Sequence, residues 1–207
     1  MDLVVPDGQP VRWGLNLLHK TGLKERVYGP DLMLGICAQA EKSGHPVYFY
    51  GSRPEVLRRL QDNLLDRFPR LRIAGSEPSA FRQLSGQERE AVVSRIVASG
   101  ARLVFVGLGC PRQEVWAFEN GDALSMPVIA VGAAFDFHAG ELPQAPPRLQ
   151  RHGLEWLFRL VHEPRRLWQR YLLLNPYYLL LLGLQALGLK NIDPESGEVP
   201  AAELRYG

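Results

Sequence analysis

The chain has 207 residues, with 24 lysines and arginines against 22 acidic residues and two cysteines. That length holds one large domain, or one domain and an appendage, with a sizeable core. A net charge of +2 gives no reason to expect nucleic acid; the cysteines fit no C-x-x-C spacing and read as free thiols of a reducing cytoplasm, and no secretory-signal pattern opens the sequence.

Leu3-Val4-Val5 is a short apolar run closed by Pro6-Asp7-Gly8, the pattern of a strand entering a turn, which would put Asp7 at a strand's carboxyl end. A helix is expected over Val11–Lys20 with Gly22 as its stop, then a connector, then a helix opened by Pro30 and closed near Gly44. Val47–Tyr50 reads as a strand. Ser52 and Glu55 have the spacing of a capping box for a helix reaching Phe68. Leu71–Ile73 predicts a short strand ending at Gly75. Ser85 and Glu88 form a second capping box, and Val92, Val93, Ile96 and Val97 keep helical spacing up to Gly100.

Leu103–Gly107 is an apolar, β-branched run that predicts a strand buried on both faces. Gly107 and Gly109 allow a sharp turn, and Pro111 suits the opening of a helix whose free N–H groups make a cradle for an anion, above all a phosphate. In isolation a packing turn would look the same. Gln113 and Glu114 follow on the first turn, where such a pair can bond a sugar or base as easily as it can cap the helix. Pro127–Val131 is the next strand, running into Gly132–Gly140.

Strands alternating with helices at this spacing imply an open, mostly parallel, Rossmann-like α/β sheet with helices on both faces. Ligands of such sheets bind beyond the carboxyl ends of the strands, so Asp7, Gly51, Gly75, Gly107–Gly109 and Gly132–Asp136 are expected on one rim. This domain is assigned residues 1–141. The Pro-rich Leu142–Pro147 begins a helical appendage over 142–192, with breaks at Pro164 and Pro176 and a leucine-rich helix over 177–189. Residues 193–207 read as a loose tail.

Asp7 is the candidate general base, with an Asx-turn as the alternative. Arg26 can grip a diphosphate with its fork, although most arginines simply sit at the surface. Asp136 and His138 make too few ligands for a metal, and Cys110 has no histidine partner. The dinucleotide fingerprint is absent, because no third glycine follows Gly109. Arg159, Arg165, Arg166 and Arg170 stand at intervals that let several share one helical face, and Tyr171–Leu189 carries no charge. Charge followed by an apolar run suits a helix lying in a membrane interface, or one docked on a partner subunit in a homo-oligomer.

Asp7-Gly8, Arg26 with Gly29 and Asp31, Gly107–Glu114 with Trp116, Gly132–Phe137 with Gly140, Ala145-Pro146, Gly153–Trp156 with Arg159, and Glu163-Pro164 with Arg166 and Arg170-Tyr171 together resemble the WecG/TagA/CpsF glycosyltransferase family. The resemblance implies an inverting transfer of N-acetylmannosamine or its uronic acid from a UDP-sugar to a polyprenyl-diphosphate-linked sugar. It places the enzyme on the cytoplasmic face of the plasma membrane, in teichoic acid, common antigen, capsule or exopolysaccharide synthesis. It makes Asp7 the base, sets Arg26 near the donor phosphates and Gln113 and Asp136 in the pocket, and gives Arg159, Arg166 and Arg170 the lipid diphosphate. No Asp-x-Asp pair is present, so the expectation is metal-independent chemistry with no cofactor beyond the UDP-sugar substrate. Family members usually carry several tens of residues before the position of Asp2, and Arg where this chain has Gln144. The alternative is a non-catalytic or truncated membrane-associated module that binds a nucleotide-sugar.

Overall fold

A computed structural model of the chain describes residues 3–146, 148–149 and 153–191, apart from the side chains of Arg166 and Arg170. These form two compact units, one of Gly29–Pro143 and one of Val4–Tyr28 with the described residues from Gln144 onward. The tail expected over 193–207 lies outside the described residues.

In the first unit the apolar runs become strands β1 (Val47–Gly51), β3 (Leu103–Gly107) and β4 (Val128–Ala130), joined by β2 (Ile73–Glu77). The sheet has the order β2-β1-β3-β4 and every pairing is parallel. This is the α/β fold that the alternation predicts. Successive side chains of a strand point to opposite faces, and β1 divides its core accordingly. Val47 and Phe49 pack with helices α2 (Gly29–Ser43), α3 (Pro54–Arg67) and α6 (Ala134–His138), while Tyr48 and Tyr50 pack with α4 (Gly86–Ala98) and α5 (Arg112–Leu124). Phe49 stacks on Phe105 at 5.7 Å and meets Phe135 edge-on at 5.8 Å. On the other face the Tyr50 and Trp116 rings are 4.6 Å apart.

The Ser85–Glu88 capping box forms as expected. Arg82 and then the Ser85 backbone N–H hold the Glu88 carboxyl down at about 2. The expected Ser52–Glu55 box does not form. The Ser52 N–H is taken by the Gly107 carbonyl at 3.0 Å and Ser52 sits at φ 58°, so Arg53 becomes the residue before α3 and caps it with no side-chain bond. The second strand also differs from expectation: it runs through Gly75 instead of ending there. Gly75 lies opposite Tyr48, whose ring would be 2.7 Å from any Cβ at that position, so its role is packing within the sheet and not lining the rim. The segment after β4 contains α6.

The expected strand Leu3–Val5, at the start of the second unit, is absent. Three apolar residues find no ladder partner there, and Leu3 and Val4 are exposed. Pro6 is instead tied to the connector, its carbonyl accepting the Val27 N–H at 2.9 Å. Helix α1 (Gln9–His19) ends at Lys20 in the left-handed conformation, before Gly22. Farther along come α7 (Glu155–His162), α8 (Pro164–Gln169), a five-residue π turn (Arg170–Leu174) and α9 (Asn175–Ala186). Pro176 does not break the helical run; it occupies the first turn of α9, where a missing N–H costs nothing. Helix α9 packs on α1, where Gly14 is buried and an added Cβ would stand 2.5 Å from the Tyr178 hydroxyl. Among the described residues no helix is long and apolar enough to cross a membrane.

His138 joins α6 to α2. Its Nε2 lies 3.0 Å from the Pro30 carbonyl, so Nε2 carries the proton and donates it. Burial lowers the imidazole pKa below 6.5, outweighing the Pro30 bond and Asp31, which favour the charged form, while Arg67 disfavours it. Between that folded value and the ordinary one the unfolded chain binds more protons than the native chain, so stability falls as pH drops. Urea unfolding at pH 7.5 and pH 5.5 is expected to show this loss, and His138→Gln is expected to flatten it.

Candidate functional site

In the sheet order β2-β1-β3-β4, the chain leaves β1 toward one edge and leaves β3 toward the other. The crevice at such a reversal, beyond the carboxyl ends of the two central strands, is where open α/β sheets bind ligands. Here those ends are Gly51 and Gly107, which face each other in register. A Cβ on Gly51, at φ 110°, would lie 2.7 Å from the Gly107 carbonyl oxygen, and one on Gly107 would lie 2.6 Å from the Phe135 ring. Two glycines are therefore required at the floor of the crevice. The Ser52 carbonyl accepts the Ser79 N–H at 3.0 Å, and the Val106 carbonyl accepts the Val131 N–H at 3.1 Å. These bonds lace the flanking strands to the same rim.

Gly109, at φ 81°, turns the chain from β3 into α5 with open space where a side chain would be. Pro111 sits at the cap, one position earlier than a first-turn proline, and Gly109 accepts the Gln113 N–H at 3.1 Å. One N–H of the expected anion cradle is thus consumed by the turn itself. The Gln113 side chain is buried and bridges two loops. Its Oε1 accepts the Gly132 N–H at 3.0 Å and its Nε2 donates to Glu114 Oε1 at 2.9 Å. Glu114 Oε2 is buried and has no hydrogen-bond partner among the described residues. Its Oε1 is held in place, so Oε2 is an acceptor aimed for a hydroxyl or N–H donor.

Gly51, Gly107, Gly109, Gln113 and Glu114 thus come together on the first unit. Asp136 stands in the first turn of α6, partly buried, next to the Phe135 that covers Gly107. Among the described residues no group of three or more His, Cys, Asp or Glu could hold a metal ion. Cys110 is exposed on the turn, whereas burial pushes the Cys37 thiol up to about 12 and leaves it inert.

Asp7 belongs to the second unit, in a loop and not at a strand end. The structure brings it together with Arg26, whose Nη1 lies 3.3 Å from the Asp7 carbonyl and 3.9 Å from Oδ1. Arg26 Nη2 is paired with Glu155 of α7, a buried carboxylate. The guanidinium also lies over the Tyr28 ring, 4.6 Å from its centre. Burial raises the Tyr28 hydroxyl pKa well above its ordinary value, and Glu155 raises it further. Sequence reasoning did not single out Glu155 as functional. A lone acid opening a helix normally answers the helix dipole, and only its place among Leu154, Trp156 and Leu157 hinted at burial.

The arginine row is not one helical face. Glu163 breaks the helix and Pro164 restarts it, so Arg159 is carried by α7 and Arg166 and Arg170 by the run that follows. The side chains of Arg166 and Arg170 lie outside the described set. The apolar residues Trp156, Val161, Trp168, Leu172–Leu174 and Leu180 are exposed, far more grease than a soluble surface usually shows in one unit.

The model of the glycosyl transferase WecG/TagA/CpsF family matches residues 1–192. The chain belongs to that family. As a WecG/TagA/CpsF glycosyltransferase it has the crevice and anchored acceptor described above in one unit, and the Asp7–Arg26–Glu155 group in the other.

The Gln113 clamp carries a definite energetic expectation. Gln113→Leu leaves the part-buried Gly132 N–H and Glu114 Oε1 without these partners, so denaturant unfolding should show a loss of about 1 kcal/mol or more.

Proposed function

We propose that this glycosyltransferase moves a sugar of the N-acetylmannosamine class from UDP to a polyprenyl-diphosphate-linked sugar, with inversion, in cell-surface polysaccharide synthesis. The observation that carries the reading is the family match over residues 1–192, and the crevice at the sheet's reversal point supports it. In this reading the donor lies against the Gly51–Gly107 floor and the Gly109 turn. Glu114 Oε2 accepts from a donor hydroxyl, and Gln113 and Asp136 belong to the same pocket. The acceptor hydroxyl oxygen forms a bond to the anomeric carbon as the bond from that carbon to the UDP oxygen breaks. Asp7 takes the hydroxyl proton, and UDP leaves with the electron pair. Arg26 favours the diphosphate by charge, and no metal or cofactor is assigned a step.

The exposed aromatic and leucine side chains of α7–α9 suit the interface of a bilayer, where Trp and Tyr bury their rings and keep their polar tips wet. Arg159, Arg166 and Arg170 are assigned to the anionic headgroups or the lipid diphosphate. The protein then works as a peripheral enzyme on the cytoplasmic face of the membrane, meeting the lipid-linked acceptor there.

The chemistry is tested by UDP release from UDP-N-acetylmannosamine with a polyprenyl-diphosphate-sugar analogue. Asp7→Asn is expected to lower kcat by about 100-fold or more, the scale of general-base catalysis, with donor affinity kept. UDP binding without turnover in the unaltered protein would instead favour a non-catalytic nucleotide-sugar-binding module. Membrane docking is tested by sedimentation with anionic vesicles. Leu173→Glu with Leu180→Glu removes two apolar anchors worth about 1.5–3 kcal/mol each and should weaken vesicle binding by about tenfold or more.

A further inference from the structure

Net charge is not spread evenly along the chain. The stretches Val4–Tyr28 and 144–191, which belong to the second unit, hold 11 lysines and arginines against 4 acidic residues, whereas Gly29–Pro143 holds 12 against 13. The unit that exposes tryptophans and leucines therefore also carries the excess of positive charge. Helix α1 shows both features at close quarters. Trp13 is 49 % exposed and Leu17 57 %, and residues four apart lie on one helical face. Successive residues stand about 100° apart around a helix. The strip therefore has Gly14, which packs beneath Tyr178 and Leu182 of α9, on one flank and Arg12 and Asn16 on the other.

The connector after α1 folds back along that second flank. The Asn16 amide donates to the Leu23 carbonyl at 2.9 Å, and its Oδ1 accepts the Leu23 N–H and the Thr21 hydroxyl, both at 2.8 Å. Arg12 donates to the Lys24 carbonyl. The backbone of Lys20, left-handed at the end of α1, and of Lys24 is thereby kept beside the apolar strip, and both residues are exposed. A tryptophan and a leucine half in water destabilise a soluble surface. At a bilayer they enter the headgroup boundary while ammonium groups meet anionic lipid. A second copy is the poorer occupant, because two such faces would set like charge against like charge.

We infer that α1 is a second lipid-contacting element, laying Trp13 and Leu17 into the headgroup boundary of an anionic bilayer with Lys20 and Lys24 against the lipid phosphates. The inference rests on the reading that α7–α9 meet a bilayer, and adds to it a helix from the other end of the chain. Helix α9 packs on α1, so the leucine-rich helix and the α1 strip belong to one packed pair.

The test uses the full chain and vesicles of phosphatidylcholine with and without phosphatidylglycerol. Trp13→Ser with Leu17→Ser is expected to weaken sedimentation with the anionic vesicles by about tenfold or more. Lys20→Gln with Lys24→Gln is expected to do so by about tenfold on the anionic vesicles alone, an effect that high salt removes. Contact is read directly from an environment-sensitive fluorophore on Leu17→Cys in a Cys110→Ser background, Cys37 being buried. Its emission should shift to the blue and be quenched by spin-labelled lipid. This single exposed change reads the contact even if the double variant does not fold. A label at residue 17 quenched no more than one on Phe118→Cys, exposed on α5, overturns the inference. So does vesicle binding unchanged in Trp13→Ser with Leu17→Ser; self-association lost in that variant would then assign the strip to a second copy. If the unaltered chain does not sediment with anionic vesicles, the bilayer reading of α7–α9 fails and this inference with it. If Leu173→Glu with Leu180→Glu weakens binding and the α1 variants do not, α1 alone is excluded and that reading stands.

Discussion

The approach of Gly51 to the Gly107 carbonyl is the constraint on which the first unit depends. Two parallel strands end at the same level; the Gly107 carbonyl leaves no room for a Cβ on Gly51, and the Phe135 ring leaves none on Gly107. The Ser52 N–H then falls onto the Gly107 carbonyl, which forces Ser52 into a left-handed conformation and moves the start of α3 to Arg53. Phe135 lies against the bare Gly107, and through it α6 is seated on the rim. A crevice floored by backbone admits a ligand to within hydrogen-bonding distance of the main chain. The polar groups around it are fixed by the fold, with the buried Gln113 amide joining the turn after β3 to the turn after β4.

The second unit is built on a different economy of charge. Arg26 and Glu155 are largely withdrawn from water, and pairs of that kind are costly to assemble and more costly to split. Tyr28 shares the burial, and its hydroxyl is held in the neutral form. Around this polar kernel the helices leave tryptophans and leucines in the open. The family match covers both units, one an α/β sheet with its crevice and the other helical with exposed apolar side chains.

Long apolar runs were legible: Val47–Tyr50 read as a strand and Leu103–Gly107 as one buried on both faces, and their alternation with helices implied the parallel sheet. Edge elements were not. Ile73-Ala-Gly-Ser-Glu77 has no apolar alternation because it lies at the sheet edge, where its pattern is set by Tyr48 packing on Gly75. Leu3–Val5 looked like a strand because composition reports willingness to pair and says nothing of whether a partner exists. The Ser52–Glu55 motif had the right letters for a cap, and a tertiary hydrogen bond took the backbone elsewhere. At the site, Gly107, Gly109, Gln113 and Glu114 could be read from the turn they share, and Gly51 from the strand it closes. Glu155 could not, since its meaning depends on an arginine well over a hundred residues earlier in the chain.

The packing of α1 on α9 brings the Gly14 backbone beneath Tyr178. In the sequence, Gly29–Pro143, the bulk of the other unit, lies between them. During synthesis that stretch is made before α9, so α1 has no α9 to pack on until the end of the chain emerges. Formation of the second unit is then a long-range closure, slow by topology.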